Sequence, residues 1–190
     1  MPFVYRYLFL ALWLSWMLYW WASSRDVKPA LWRESLLSRL VHLVPLVLAA
    51  LLLWLPAVPV PGLNERFLPS TDAAFWIGAA VTAIGLLIAV WARRYLGRNW
   101  SGTVTIKVDH ELIIGGPYAY VRHPIYSGLL LGFVGTAIAR GEWSGVLAVA
   151  LTTLAFWWKL RLEERGMRSQ FGEAYQLYSQ RVAALIPFVL

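Results

Sequence analysis

Residues 73–92, AAFWIGAAVTAIGLLIAVWA, run for twenty positions without a charge and stop at Arg93-Arg94. A helix needs about 20 apolar residues to cross the hydrocarbon of a bilayer, so this stretch reads as a membrane span closed by an interfacial cationic pair. Toward the N-terminus, Leu40–Asn64 and Tyr7–Ser24 are comparable runs. Toward the C-terminus, Ile125–Ala139 and Trp143–Trp158 are slightly shorter and separated only by Arg140-Gly141-Glu142, the pattern of a tight helical hairpin. The expected fold is an all-α integral membrane protein with five transmembrane helices. Composition agrees: of 190 residues, 59% are hydrophobic and 14% charged, well below the charge content of a soluble domain.

The net charge of +7 distributes unevenly along this pattern. Arg25, Lys28, Arg33 and Arg39 follow span 1; Arg93, Arg94, Arg98, Lys107 and Arg122 follow span 3; Lys159, Arg161, Arg165, Arg168 and Arg181 follow span 5. Only Arg6, Arg66 and Arg140 fall on the opposite side, so the positive-inside rule places the N-terminus outside and the C-terminus in the cytoplasm. The basic balance is a topology signal, and nucleic-acid binding loses its support. The first run is rich in Trp and Tyr and lacks a small-residue cleavage site, so it reads as a mature helix. With no cysteine there is no disulfide, thiolate metal site or cysteine nucleophile.

Residues 1–190 read as a single membrane domain, with residues 1–64 forming two spans that carry no motif. The long polar excursions are Arg93–Pro124 and Lys159–Leu190, both cytoplasmic, so aqueous chemistry belongs there. In the first, Val104, Ile106 and Val108 alternate with polar residues, a short strand signal, before Gly115-Gly116-Pro117 forces a turn.

The densest chemical signal is Gly116-Pro-Tyr-Ala-Tyr-Val-Arg-His-Pro-Ile-Tyr-Ser-Gly128. Pro124 suits a first helical turn and pushes His123 out of the α region, fixing the imidazole at the mouth of span 4. Free N–H groups there, with Arg122 adjacent, suit a carboxylate or phosphate. Glu163-Glu164 lie at the end of span 5, where carboxylates oppose the helix dipole and need a partner: a nearby arginine, a cationic ligand or a hydroxyl-rich one. Beyond them Met167, Phe171, Tyr175, Tyr178 and Val182 form one face of an amphipathic helix that Gly172 is placed to interrupt. Gly128 and Gly132 have the spacing of close helix packing, although Gly128 also lies one turn from His123, where a planar ligand would approach the backbone. His42 is expected to make a helix–helix hydrogen bond. No metal-ligand spacing, Walker loop or dinucleotide fingerprint is present.

Gly116-Pro-Tyr through Arg122-His-Pro-x-Tyr126-x-Gly128, then Glu163-Glu164, Phe171-Gly-x-x-Tyr175-x-x-Tyr178, Arg181-Val182 and Ile186-Pro187, resembles the isoprenylcysteine carboxyl methyltransferase family. Related patterns occur in membrane phospholipid methyltransferases. The resemblance runs from Leu96 to the C-terminus, departing from the family pattern at Met167 and Ala183, and marks residues 93–190 as the methyltransferase-like region. It implies a methyltransferase using S-adenosylmethionine, with a cytoplasmic cofactor pocket formed by the loop before helix 4 and the C-terminal helical segment. His110, Gly116, Tyr120, His123, Tyr126, Gly128, Glu163 and Glu164 fall on cofactor-pocket positions, and Arg122 and Pro124 complete the helix mouth.

Arg94 and Arg181 are the candidates to orient an acceptor carboxylate. An amine acceptor would instead require His110, His123 or a glutamate such as Glu164 as base. The expected acceptor is lipophilic, an isoprenylcysteine-like carboxylate that enters laterally from the bilayer. The competing readings are amine or phospholipid N-methylation, an NADPH-dependent sterol-reductase-like activity, and a lipid-binding scaffold without catalysis.

Overall fold

The computed structural model describes residues 2–25, 27–28, 30–100, 105–107 and 111–187. Five α-helices are formed among them: α1 Pro2–Ser23, α2 Leu36–Trp54, α3 Asp72–Leu96, α4 Pro124–Arg140 and α5 Trp143–Arg181. By length and composition, α2, α5 and the segment Asp72–Asn99 containing α3 can each cross a bilayer. The aromatic-rich α1 and the 17-residue α4 fall outside that criterion. One small departure from an all-helical chain is an antiparallel ribbon of β1, Ala30–Arg33, with β2, Thr105–Lys107, where the sequence carries its strand signal.

Helix boundaries follow local chemistry. Ser35 caps α2 and Thr71 caps α3, each side-chain oxygen accepting from a backbone N–H three residues on. Helix α2 ends at Trp54, well short of the expected Asn64, because Pro56, Pro59 and Pro61 cannot continue it. The segment after it folds back instead. Asn64 Oδ1 accepts from Val58 N at 2.8 Å, and Phe67 N donates to the Gly141 carbonyl at 2.9 Å, so this loop packs on the α4–α5 tip. Gly141 closes α4 in the left-handed region (φ 68°), which allows the two-residue hairpin.

The centre of the bundle is the α3–α4 contact, built on glycine. A Cβ on Gly128 would lie 2.5 Å from the Gly85 carbonyl, and one on Gly78 would lie 2.5 Å from the Gly135 carbonyl. The two backbones therefore touch, as small residues permit in membranes. Thr82 Oγ1 donates to the Gly132 carbonyl at 3.2 Å, and Trp13 Nε1 donates to Thr136 Oγ1 at 3.1 Å, tying α1 to the same seam. Gly128 thus packs directly against Gly85 and Ala89 of α3.

Among the described residues, His42, buried on α2, shows no hydrogen bond across helices; its Nε2 lies 3.7 Å from Glu34 Oε1, just before its own helix. Outward faces carry exposed apolar side chains such as Leu40, Val44, Leu51, Ile77, Ile84 and Leu154, as lipid-facing surfaces do.

Candidate active site

Pro124 occupies the first turn of α4 and leaves His123 in a non-helical conformation (φ −124°, ψ 59°). The backbone N–H groups of Arg122 and His123 donate to the Ala183 and Ala184 carbonyls at 2.8 and 3.0 Å. Ser127 Oγ donates to the Leu185 carbonyl at 2.5 Å. The chain after α5 is therefore stitched to the mouth of α4. Ala183 contributes its carbonyl, an acceptor that proline also carries, so the seam tolerates this departure from the family pattern.

A buried charge cluster backs the seam. Arg122 donates to Glu164 Oε1 from Nε at 2.8 Å and from Nη2 at 2.5 Å, while its Nη1 donates to the carbonyls of Ser179 and Val182. His123 Nε2 lies 3.3 Å from the same Glu164 oxygen, and its Nδ1 lies 3.6 Å from Glu163 Oε2. Tyr126 donates its hydroxyl to Glu163 Oε1 at 2.5 Å, and its ring stacks between His123 and Phe156.

Burial opposes charge on Glu164, but the His123 ring and the Arg122 guanidinium outweigh it and hold its carboxyl at about 2. Burial likewise opposes charging His123, and the two carboxylates around its ring overcome that and raise its pKa. Burial also pushes the phenols of Tyr118 and Tyr178 upward, Tyr178 to about 12, so both stay neutral.

In front of the cluster lies a cavity of about 940 Å³. Polar residues in its lining include Tyr118, Arg122, His123, Glu163, Gln170 and Tyr178; apolar ones include Trp16, Trp20, Leu43, Leu46, Leu129 and Phe156. Of the two adjacent glutamates, Glu163 lines the cavity, and Glu164, which does not, holds Arg122. Asn99 Oδ1 and Trp16 Nε1 are buried, belong to lining residues and have no partner, so the cavity retains unspent polar groups.

Other expected site residues sit elsewhere. Gly116 (φ +58°) gives the turn that packs against the Tyr95 ring, and Pro124 is buried in α4. Tyr120 is 63% exposed. Arg94 and Arg181 are exposed and line no part of the cavity; on α3 it is the neighbouring Arg93 that turns inward. Arg93 donates to the Gly97 carbonyl at 2.7 Å and lies over Trp100. His110 lies outside the described residues. Sequence reasoning missed Lys159, which lines the cavity with its Nζ 5.5 Å from the Tyr126 ring centre. Stepping back by helical spacing from Glu163 to Lys159 and Phe156 is the signal that finds it.

The family model for phospholipid methyltransferase matches residues 73–174, more than half of the chain. The chain belongs to this methyltransferase family. Among curated relatives, "Protein-S-isoprenylcysteine O-methyltransferase B" of Arabidopsis thaliana is 30% identical over 65% of this chain and 66% of its own length. A protein of Oryza sativa subsp. indica, "Probable protein-S-isoprenylcysteine O-methyltransferase", is 32% identical over 70% of this chain and 69% of its own. The solved structure of a eukaryotic intramembrane Ras methyltransferase, isoprenylcysteine carboxyl methyltransferase, aligns at TM-score 0.54 and 26% identity, covering 84% of this chain and 55% of that one. The chain thus spans about two thirds of the plant relatives and about half of the solved neighbour. With its long apolar helices and this membrane neighbour, the protein is an integral membrane protein.

The Glu164 carboxyl, depressed in the folded protein, contributes stability that is present above the ordinary carboxylate range and lost as pH falls toward about 2. Glu164→Gln is therefore expected to unfold at a lower temperature than the wild type at pH 7. That gap should close between about pH 4.5 and pH 2; a gap constant over this range would show that the ion pair does not stabilise the fold.

Proposed function

We propose that the protein transfers a methyl group from S-adenosylmethionine to the carboxylate of a lipophilic, isoprenylcysteine-like acceptor. The observation that carries this reading is one cavity that combines charged and phenolic side chains, Glu163 among them, with an apolar wall drawn from several helices. Family membership favours methyl transfer over the reductase and scaffold readings. When bound, S-adenosylmethionine supplies a methyl group activated on a positively charged sulfur.

The residues present fit that group. Glu163 places a carboxylate beside neutral phenol rings, an environment that favours a cation. The unpartnered Asn99 Oδ1 is a free acceptor on the same wall. Arg122 and His123, already committed to Glu163 and Glu164, give the polar end its fixed electrostatics. Lys159 stands between the apolar Phe156 and the acidic Glu163 on α5, and is the cation placed to orient an acceptor carboxylate, in the role that sequence gave to Arg94 and Arg181.

The acceptor carboxylate is already ionised at neutral pH, so the residues around the cavity would have to hold it against the bound cofactor and none would have to move a proton. The chain's task is alignment of the two reactants away from water. A lipid chain reaches the apolar end from the bilayer between helices while the polar reactant arrives from the cytoplasm.

Two measurements test this reading. Titration calorimetry of the detergent-purified protein should detect S-adenosylhomocysteine and not NADPH, and Glu163→Gln should weaken binding by about tenfold to a hundredfold, the value of one hydrogen bond to a charged group. Preference for NADPH, or undiminished binding by the variant, would contradict it. The cytoplasmic placement rests on the skewed basic residues: single cysteines at Asn64 and Glu111 should react with impermeant maleimide from opposite faces of the membrane, and labelling from one face would reverse the topology.

A further inference from the structure

Helix α5 turns Lys159, Glu163, Gly166, Met167 and Gln170 toward the cavity, spaced by three and four residues along one face. Gly166 is the anomaly in that row. It lies within regular helix, and a Cβ built on it meets nothing within 4 Å. Neither a close helix crossing nor a left-handed backbone calls for glycine here, unlike at Gly128 or Gly141. Glycine inside a helix destabilises it relative to alanine. What glycine does provide is a bare strip of helix surface facing the cavity.

We propose that Gly166 is the surface on which the flat nucleoside arm of the cofactor lies. This rests on the methyltransferase reading above and assigns one end of that pocket. The reacting sulfur belongs where the polar and apolar ends meet, beside Glu163 and Tyr126. Two arms leave that point. The amino-acid arm carries a carboxylate and an ammonium, and suits the charged side formed by Arg122, His123 and Glu163. The nucleoside arm is planar and uncharged. Past Gly166 the cavity wall is Met167, Ser169 and Gln170, also uncharged, with a hydroxyl and an amide to meet the edges of a ribose or a heterocycle. Arg165, before Gly166, also lines the cavity, its Nε donating to the Arg161 carbonyl at 3.3 Å. A side chain at position 166 would stand in the space the ring occupies.

The test uses Gly166→Ala and Gly166→Leu in the full chain, with S-adenosylhomocysteine and 5′-methylthioadenosine, which lacks the amino-acid arm, as competing ligands. Without ligand, Gly166→Ala should unfold about 2–4 °C above the wild type, because helix propensity improves and nothing is crowded. Its affinity for both ligands should fall by the same factor, about tenfold, and Gly166→Leu should lose more than about a hundredfold. Unchanged affinities, a loss confined to S-adenosylhomocysteine, a lowered unfolding temperature for Gly166→Ala, or a wild type that ignores 5′-methylthioadenosine would overturn the assignment while leaving the methyltransferase reading intact. A wild type that fails to bind S-adenosylhomocysteine would overturn both.

Discussion

The Arg122–Glu164 ion pair is the interaction on which the site depends. It joins three pieces that nothing in their sequence order brings together: the loop entering α4, the extension of α5 beyond its apolar part, and the chain after α5. Removing one member of a buried pair strands the other's charge, at a cost of about 3–5 kcal/mol. Here the stranded group would also be the wall of the cavity. The glycine seam between α3 and α4 sets the platform, fixing the mouth of α4 relative to the bundle so that Arg122 can reach α5.

The same cluster explains how a small membrane protein holds charge at the edge of hydrocarbon. Each ionised group has a fixed partner, and burial keeps the surrounding phenols neutral. The cavity therefore changes character along α5, from Phe156 through Lys159 and Glu163 to Gln170, over a few helical turns. A lipid tail, a carboxylate, a sulfonium and a nucleoside would meet that gradient in this order. Catalysis by alignment needs little more, because the attacking carboxylate is already ionised at neutral pH.

Much of this was legible in the sequence. The run 73–92 and the hairpin at Gly141 are read correctly because apolar length and a tight glycine turn are local properties. Pro124 placed His123 at a helix mouth, and the unfavourable position of Glu163-Glu164 on α5 showed that partners had to exist. Choices that depend on helix rotation were not legible. Arg93 and Arg94 are adjacent, and only packing against α1 and Trp100 decides that Arg93 turns in. Gly128 has the chemistry of a ligand platform and of a packing contact alike, and the facing Gly85 decides for packing. The overlong second span came from counting apolar residues across three prolines that end the helix.

The central claim is that one cavity brings a sulfonium methyl group to a lipid-linked carboxylate. The most direct measurement is label transfer by the purified protein from methyl-tritiated S-adenosylmethionine to an N-acetylated farnesylcysteine, followed by mild base. The account predicts label in the lipid fraction that base releases as volatile methanol, since a methyl ester is the product. Label that stays bound through base treatment, or no transfer from a protein that demonstrably binds the cofactor, would contradict it.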